Sequence, residues 1–347
     1  MIRLACTAAA IAALANAASA NSAGFAMHPI VVNGSSNLQA FAINDRGDIA
    51  ATFYDNSANA TGGGVIHDGI VTMLPQPDPA FGPPQAEAID NRGRVLAWAR
   101  NSGDGYVAMF LFADGAYDPN YQVGLEAPFS NNGSITPNPF GFGGAKKVFF
   151  TFLISYSEPT QGSYGKPPHF HLAPALNTFN TIESMNKQGL VAGVSYGLTG
   201  VGTVFAGKGA NFATINVPNA KSTVGGFIND TGAVAGSYAD SAGAQHGFVY
   251  NAGTYTSFDM PDAASTVSVS AFNDNGRVVG SYIGASDGAL HAFYYNGRVT
   301  SSFGTWKGYD SLAVALNGKN KMVVRVTKEG KSLTYGSYTA KCTGNAC

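Results

Sequence analysis

Charge is scarce in this chain of 347 residues: Asp, Glu, Lys and Arg together make up 12%, and the formal net charge is −1. Without a basic surplus there is no surface to neutralise a phosphate backbone, so nucleic acid is set aside as a partner. Phosphate loops, nucleophile elbows, dinucleotide fingerprints and zinc-helix motifs are all missing, and no cofactor is implied. The glycine-rich stretches Gly62-Gly63-Gly64 and 141–144 lack the strand-to-helix context that such motifs need. Beyond the N-terminus no apolar run is long enough to span a membrane. Cysteine is rare as well, with three in the whole chain.

Residues 1–20 have the features of a secretory leader: Arg3, an Ala/Leu/Ile-rich stretch, and the small-x-small cleavage site Ala18-Ser19-Ala20. The expected mature protein is 21–347, secreted or periplasmic, with a net charge of about −2 once Arg3 is lost. Cleavage removes Cys6 and leaves Cys342 and Cys347, an even pair expected to form a disulfide that pins the C-terminal tail.

What the chain has in abundance is repetition. An Asn-Asp-x-Gly turn between two apolar strands occurs at Asn44–Gly47, Asp90–Gly93, Asn186–Gly189, Asn229–Gly232 and Asn273–Gly276. The glycines lie 43 to 46 residues apart except for one gap of 96, which implies a degenerate copy with Lys146 in the glycine's place. A seventh copy, Asn320-Lys321-Met322-Val323-Val324, follows 44 residues after Gly276. Asn or Asp opens a type I turn by bonding back to the chain, and the glycine takes the left-handed conformation that closes a bulged hairpin. The aspartates lack the further acidic ligands of a calcium loop.

A second hairpin completes each unit, with Asp68-Gly69, Asp114-Gly115 and Asn296-Gly297 as its turns. Four short strands every ~45 residues is the blade of a β-propeller. The predicted fold is therefore all-β: a seven-bladed propeller of four-stranded antiparallel blades forming one domain. The last blade has Ser332–Tyr338 as its third strand, and the N-terminal segment Met27–Val32 is expected to supply its outer strand and cover an exposed edge. An open β-solenoid is the main alternative.

The units containing His246-Gly247-Phe248 and His291-Ala292-Phe293, each preceded by Asn-Asp-x-Gly and by Gly-Ser-Tyr, resemble the HAF repeat of predicted extracellular bacterial proteins. The resemblance is strong over 223–303 and weaker elsewhere. It implies an exported repeat protein and carries over no catalytic residues.

In such a blade the first and third turns share one rim, whereas the second-to-third loops and the inter-blade links share the other. The long segments Pro75–Pro84, Asp118–Gly144 and Tyr156–Pro168 point to that second rim as the working face. Around blade 3, the candidate binding residues are Tyr156, Glu158, Tyr164, Lys166, His169 and His171. His169 and His171 are spaced to share one side of a strand, which suits a metal. The competing reading makes one of them an ordinary repeat histidine bonded to backbone. Tyrosines there can stack on sugars or act as packing lids. Glu87 and Glu183 occupy equivalent positions on innermost strands, where other blades carry Phe41, Gly226, Ser270 and Val314. Two carboxylates facing one channel would suit glycosidic chemistry.

The preferred expectation is a monomeric binding module that takes a glycan or a cell-surface protein through its variable rim. The alternative is a polysaccharide lyase or glycoside hydrolase using acidic or His residues at the channel mouth.

Overall fold

A computed structural model describes residues 24–103, 107–125, 140–143, 147–152, 161–166, 169–173, 179–260, 262–303, 308–328 and 335–343. The leader (1–20), Tyr156, Glu158 and Cys347 lie outside them. All the regular elements described are β-strands, and they form seven four-stranded antiparallel sheets. Among the described residues no helix is long and apolar enough to cross a membrane.

Blades 1 to 6 take their four strands from consecutive chain, at 35–73, 85–125, 140–172, 179–215, 222–258 and 263–303. Blade 7 takes three strands from 309–342 and its outer strand from Phe25–Pro29. The pairing runs from Phe25 opposite Cys342 to Pro29 opposite Tyr338. The first strands of successive blades contact one another all the way round, blade 7 against blade 1 included, so the ring is closed. Phe25 stacks on Phe303 of blade 6 with ring centroids 4.5 Å apart, which ties the closing strand to its neighbour.

Two segments differ slightly from expectation. The third strand of blade 7 is Tyr335–Cys342, because Ala340 and Cys342 join Tyr338 in the buried core and carry the strand past the strongly apolar residues. Asn296-Gly297 opens a loop over 296–299, closed by Asn296 N–H to Val299 O at 3.1 Å, with the Arg277 guanidinium on the Asn296 carbonyl.

The repeated turns form as expected and also join the blades. Asn44 Oδ1 accepts from its own turn, from Arg46 N–H at 3.0 Å and Asp48 N–H at 2.9 Å. Its Nδ2 donates to the carbonyl of Asp90 in the next blade at 3.0 Å. Asn186 reaches Asn229 O (3.1 Å), Asn229 reaches Asn273 O (3.3 Å) and Asn273 reaches Asn317 O (2.9 Å). Asn317 then crosses the seam to Asn44 O at 2.8 Å. Asp90 has no amide to give and instead holds Arg94, with Nε to Oδ2 at 2.7 Å. Gly143, which occupies this place in blade 3 and pairs its N–H with Lys147 O at 2.9 Å, has no side chain. The glycine position has positive φ throughout the described copies, and Asn320 adopts it in blade 7 at +60°.

A cavity of about 570 Å³ opens on the axis within this ring of turns. One large apolar residue per blade lines it, from Ile43 and Phe142 to Phe272 and Leu316.

The innermost strands share a second feature. Pairing with the second strand skips Phe41, Glu87, Glu183, Ser270 and Val314 in blades 1, 2, 4, 6 and 7, and Gly225-Gly226 in blade 5. The positions that align in sequence are therefore β-bulges, which re-aim a side chain at the cost of one ladder step. Gly226 is required for packing as well: a Cβ there would lie 2.7 Å from the backbone nitrogen of Gly193 in blade 4.

Candidate ligand cleft between blades 3 and 4

Four of the sequence-derived candidates converge. Tyr164, Lys166, His169 and His171 line one cavity of about 470 Å³, together with Lys147, Lys208, Gly165 and Gly189. Lys166 ends the third strand of blade 3 (Gln161–Lys166) and His169 begins the fourth (His169–Leu172). Tyr164 and Lys166 thus belong to a strand and not to a long loop. The cleft lies where the third strand of that blade ends and the fourth begins, on the rim of the minimal turns, opposite the rim singled out by loop length. The remaining wall agrees: Gly189 belongs to the first turn of blade 4, and Lys208 precedes its third turn.

Tyr164 anchors the cleft floor. It is buried, and its hydroxyl accepts the Gly209 N–H of blade 4 at 2.7 Å, so it ties the two blades together. His171 lies against its ring at 5.5 Å, tilted by 37°. His169 and His171 are both exposed and face the same cavity, as their spacing predicted. Among the described residues no group of three His, Cys, Asp or Glu is placed to hold a metal.

The lysines dominate the electrostatics. Lys147 lies over Gly189, where a Cβ would come within 2.9 Å of its Nζ. Lys208 Nζ donates to Gln188 O at 3.2 Å. Neither Lys147 nor Lys166 has an ion-pair partner among the described residues, and no carboxylate lines the cavity. Three ammonium groups around one void repel each other and leave a positive field that only an external anion or solvent can offset. Lys147 and Lys208 were not legible as site residues, because their proximity depends on how blade 3 packs against blade 4. The one available signal was that each flanks a turn on the same rim.

Glu87 and Glu183 have separate surroundings. Burial pushes the Glu87 carboxyl up to about 7, against the Trp98 Nε1 donor at 3.2 Å and the positive charge of Arg325. Arg325 itself stacks 4.1 Å above Phe41 and donates to Ala40 O at 2.9 Å. Burial likewise raises the Glu183 carboxyl, although Thr181 Oγ1 donates to it at 2.8 Å. The two glutamates have no partner in common.

The repeat histidines are held by carboxylates and not by backbone. His246 Nδ1 meets Asp259 at 2.5 Å and Nε2 meets Asp240 at 3.4 Å, with the ring stacked on Tyr238. His291 Nε2 meets Asp287 at 3.0 Å. Burial opposes protonation of His246, but its two aspartates outweigh burial and raise its pKa.

No known family model matches this chain, and no curated protein matches it either. Solved structures match its fold. The β-propeller domain of the Trilobed protease from Pyrococcus furiosus superposes with a TM-score of 0.60 at 7% identity, over 91% of this chain and 97% of that one. That domain is described as having an open velcro topology, whereas here Phe25–Pro29 closes blade 7. The Pyrococcus horikoshii acylaminoacyl peptidase gives a TM-score of 0.56 at 7% identity, over 85% of this chain and 50% of that one. A prolyl endopeptidase gives 0.55 at 13% identity, over 93% and 49%. This chain spans about half of those two peptidases. At these identities the likeness is one of fold.

Proposed function

We propose that this protein is an exported binding module that takes an anionic ligand, an acidic glycan, in the cleft between blades 3 and 4. One observation carries the reading: Lys147, Lys166 and Lys208 face a single cavity that no carboxylate lines among the described residues, in a chain where charge is scarce. His169, His171 and the Tyr164 ring add donors and a flat surface on which a sugar ring can rest. Binding is favoured over hydrolysis because Glu87 and Glu183 lie in separate environments, so the paired-carboxylate arrangement is not formed by them.

Titration of the mature chain with uronate-containing oligosaccharides tests this, with neutral oligosaccharides of equal length as the control. Saturable binding that weakens with salt and falls at least tenfold in a Lys166→Glu/Lys208→Glu variant supports it. Equal affinity for the neutral series, or unchanged affinity in that variant, refutes it.

A further inference from the structure

On the opposite rim, the bulge of blade 5 borders a second cavity of about 370 Å³, between its innermost strand and those of blades 4 and 6. Glu183 and Tyr196 reach it from blade 4, Ser237 and Gln245 from blade 5, and Val267 and Phe227 supply apolar wall. Tyr196 ends a second strand and Gln245 begins a third, which places the opening on the rim of the longer loops.

Several polar groups lining this cavity lack side-chain partners among the described residues. The Ser237 hydroxyl is buried at 1% exposure and makes no hydrogen bond. Leaving a buried hydroxyl unpaired costs about 1–3 kcal/mol, and Ser237 is the residue of this kind that lines the cavity. Glu183 has one donor, Thr181 Oγ1 at 2.8 Å on Oε1, and its second oxygen is open. The Tyr196 hydroxyl and the Gln245 amide have no side-chain partner among the described residues.

We infer that this cavity is a second binding site, independent of the lysine cleft, and that it takes a neutral hydroxyl-bearing ligand, one ring of a saccharide. The chemistry of the lining sets the class. Serine, tyrosine and glutamine each donate and accept, which matches alcohols, groups that do the same. An ammonium ligand would use only the acceptor half of these groups and would leave the Gln245 amide N–H without an acceptor on the ligand. An anion would meet Glu183, with no cation among the described lining residues to compensate. Phe227 and Val267 give the ring an apolar face, and the volume lies within the range of small-ligand pockets.

The test is ligand-observed NMR and calorimetry on the full chain with neutral mono- and disaccharides, alkylammonium ions and uronates. A neutral sugar is expected to bind saturably. Its affinity should fall about tenfold in Gln245→Leu and in Tyr196→Phe, each of which removes polar capacity and leaves the strands intact. Ser237→Val should do the same provided its thermal unfolding matches wild type, and Lys166→Glu should leave this binding unchanged. The inference is overturned if no neutral sugar binds at millimolar concentration, if Gln245→Leu and Tyr196→Phe bind as wild type, or if alkylammonium ions compete for the site.

Discussion

Replacing Asn229 by Asp tests whether the turn amides hold the ring together. Asn229 is buried in blade 5, where its Oδ1 accepts from Thr231 N–H, Thr231 Oγ1 and Ala233 N–H at 2.8 to 3.1 Å. Aspartate preserves all three contacts. It loses the Nδ2 donor to Asn273 O at 3.3 Å and sets a charged oxygen against that carbonyl. A buried acceptor left unpaired beside a like partial charge costs about 2–4 kcal/mol. Blade 2 shows what makes aspartate tolerable at this position. Asp90 is neutralised by Arg94, whose guanidinium lies 5.5 Å above Phe142 of the next blade. In blade 5 the residue at the Arg94 position is Ala233, and Phe272 of blade 6 stands where Phe142 stands. The double variant Asn229→Asp/Ala233→Arg should therefore recover more than half of the loss. Urea unfolding at pH 7 measures both variants. If Asn229→Asp unfolds within about 0.5 kcal/mol of wild type, or if the second substitution deepens the defect, the inter-blade amide link is not a source of stability.

Two further outcomes follow from burial and closure. The Glu87 carboxyl is pushed up to about 7 in the folded protein. Its favourable contribution is complete below the unfolded value near 4.5 and is lost as pH rises through about 7. Glu87→Gln should remove up to about 3 kcal/mol of destabilisation at pH 8, seen as a flatter stability profile between pH 5 and 8; an unchanged profile would rule out this assignment. Phe25→Ala removes the stacking on Phe303 and a buried side chain of the closing strand, with an expected loss of about 3–4 kcal/mol in chemical unfolding. A loss below about 1 kcal/mol would mean that the seam is not closed by this residue.

The architecture was legible because the turn chemistry is strict. Asn or Asp at its head and glycine at its end mark the period even where two copies are degenerate, and the alignment placed Lys146 and Asn320 in the glycine's register. Alignment also grouped Glu87 and Glu183 with Phe41, Gly226, Ser270 and Val314. That these positions are bulges was not visible, since many residue types can occupy one and here Phe, Glu, Gly, Ser and Val all do. The amide links between blades were hidden for a related reason. The half of each asparagine that bonds within its own turn explains its presence, so nothing in one repeat asks for a second partner. The lysine cleft required the packing of two blades, and loop length pointed to the other rim because Tyr164 and Lys166 sit in a glycine- and proline-rich segment that does not look like a strand. Tyr156, Glu158 and the Cys342–Cys347 pairing involve residues outside those described.

Blades 1 to 6 each gather their strands from about forty neighbouring residues, and each can begin to pair its strands as soon as its own stretch of chain exists. Blade 7 cannot, since its outer strand is the first described segment of the protein and its third strand is the last. The circle is thus completed in a single late step that joins chain separated by more than three hundred residues, and bringing such distant ends together is the slowest kind of contact a polypeptide makes. Until that step, Phe303 of blade 6 lacks the Phe25 ring that stacks on it. The greatest exposure to misassembly therefore falls at the end of folding, when every other blade is already built.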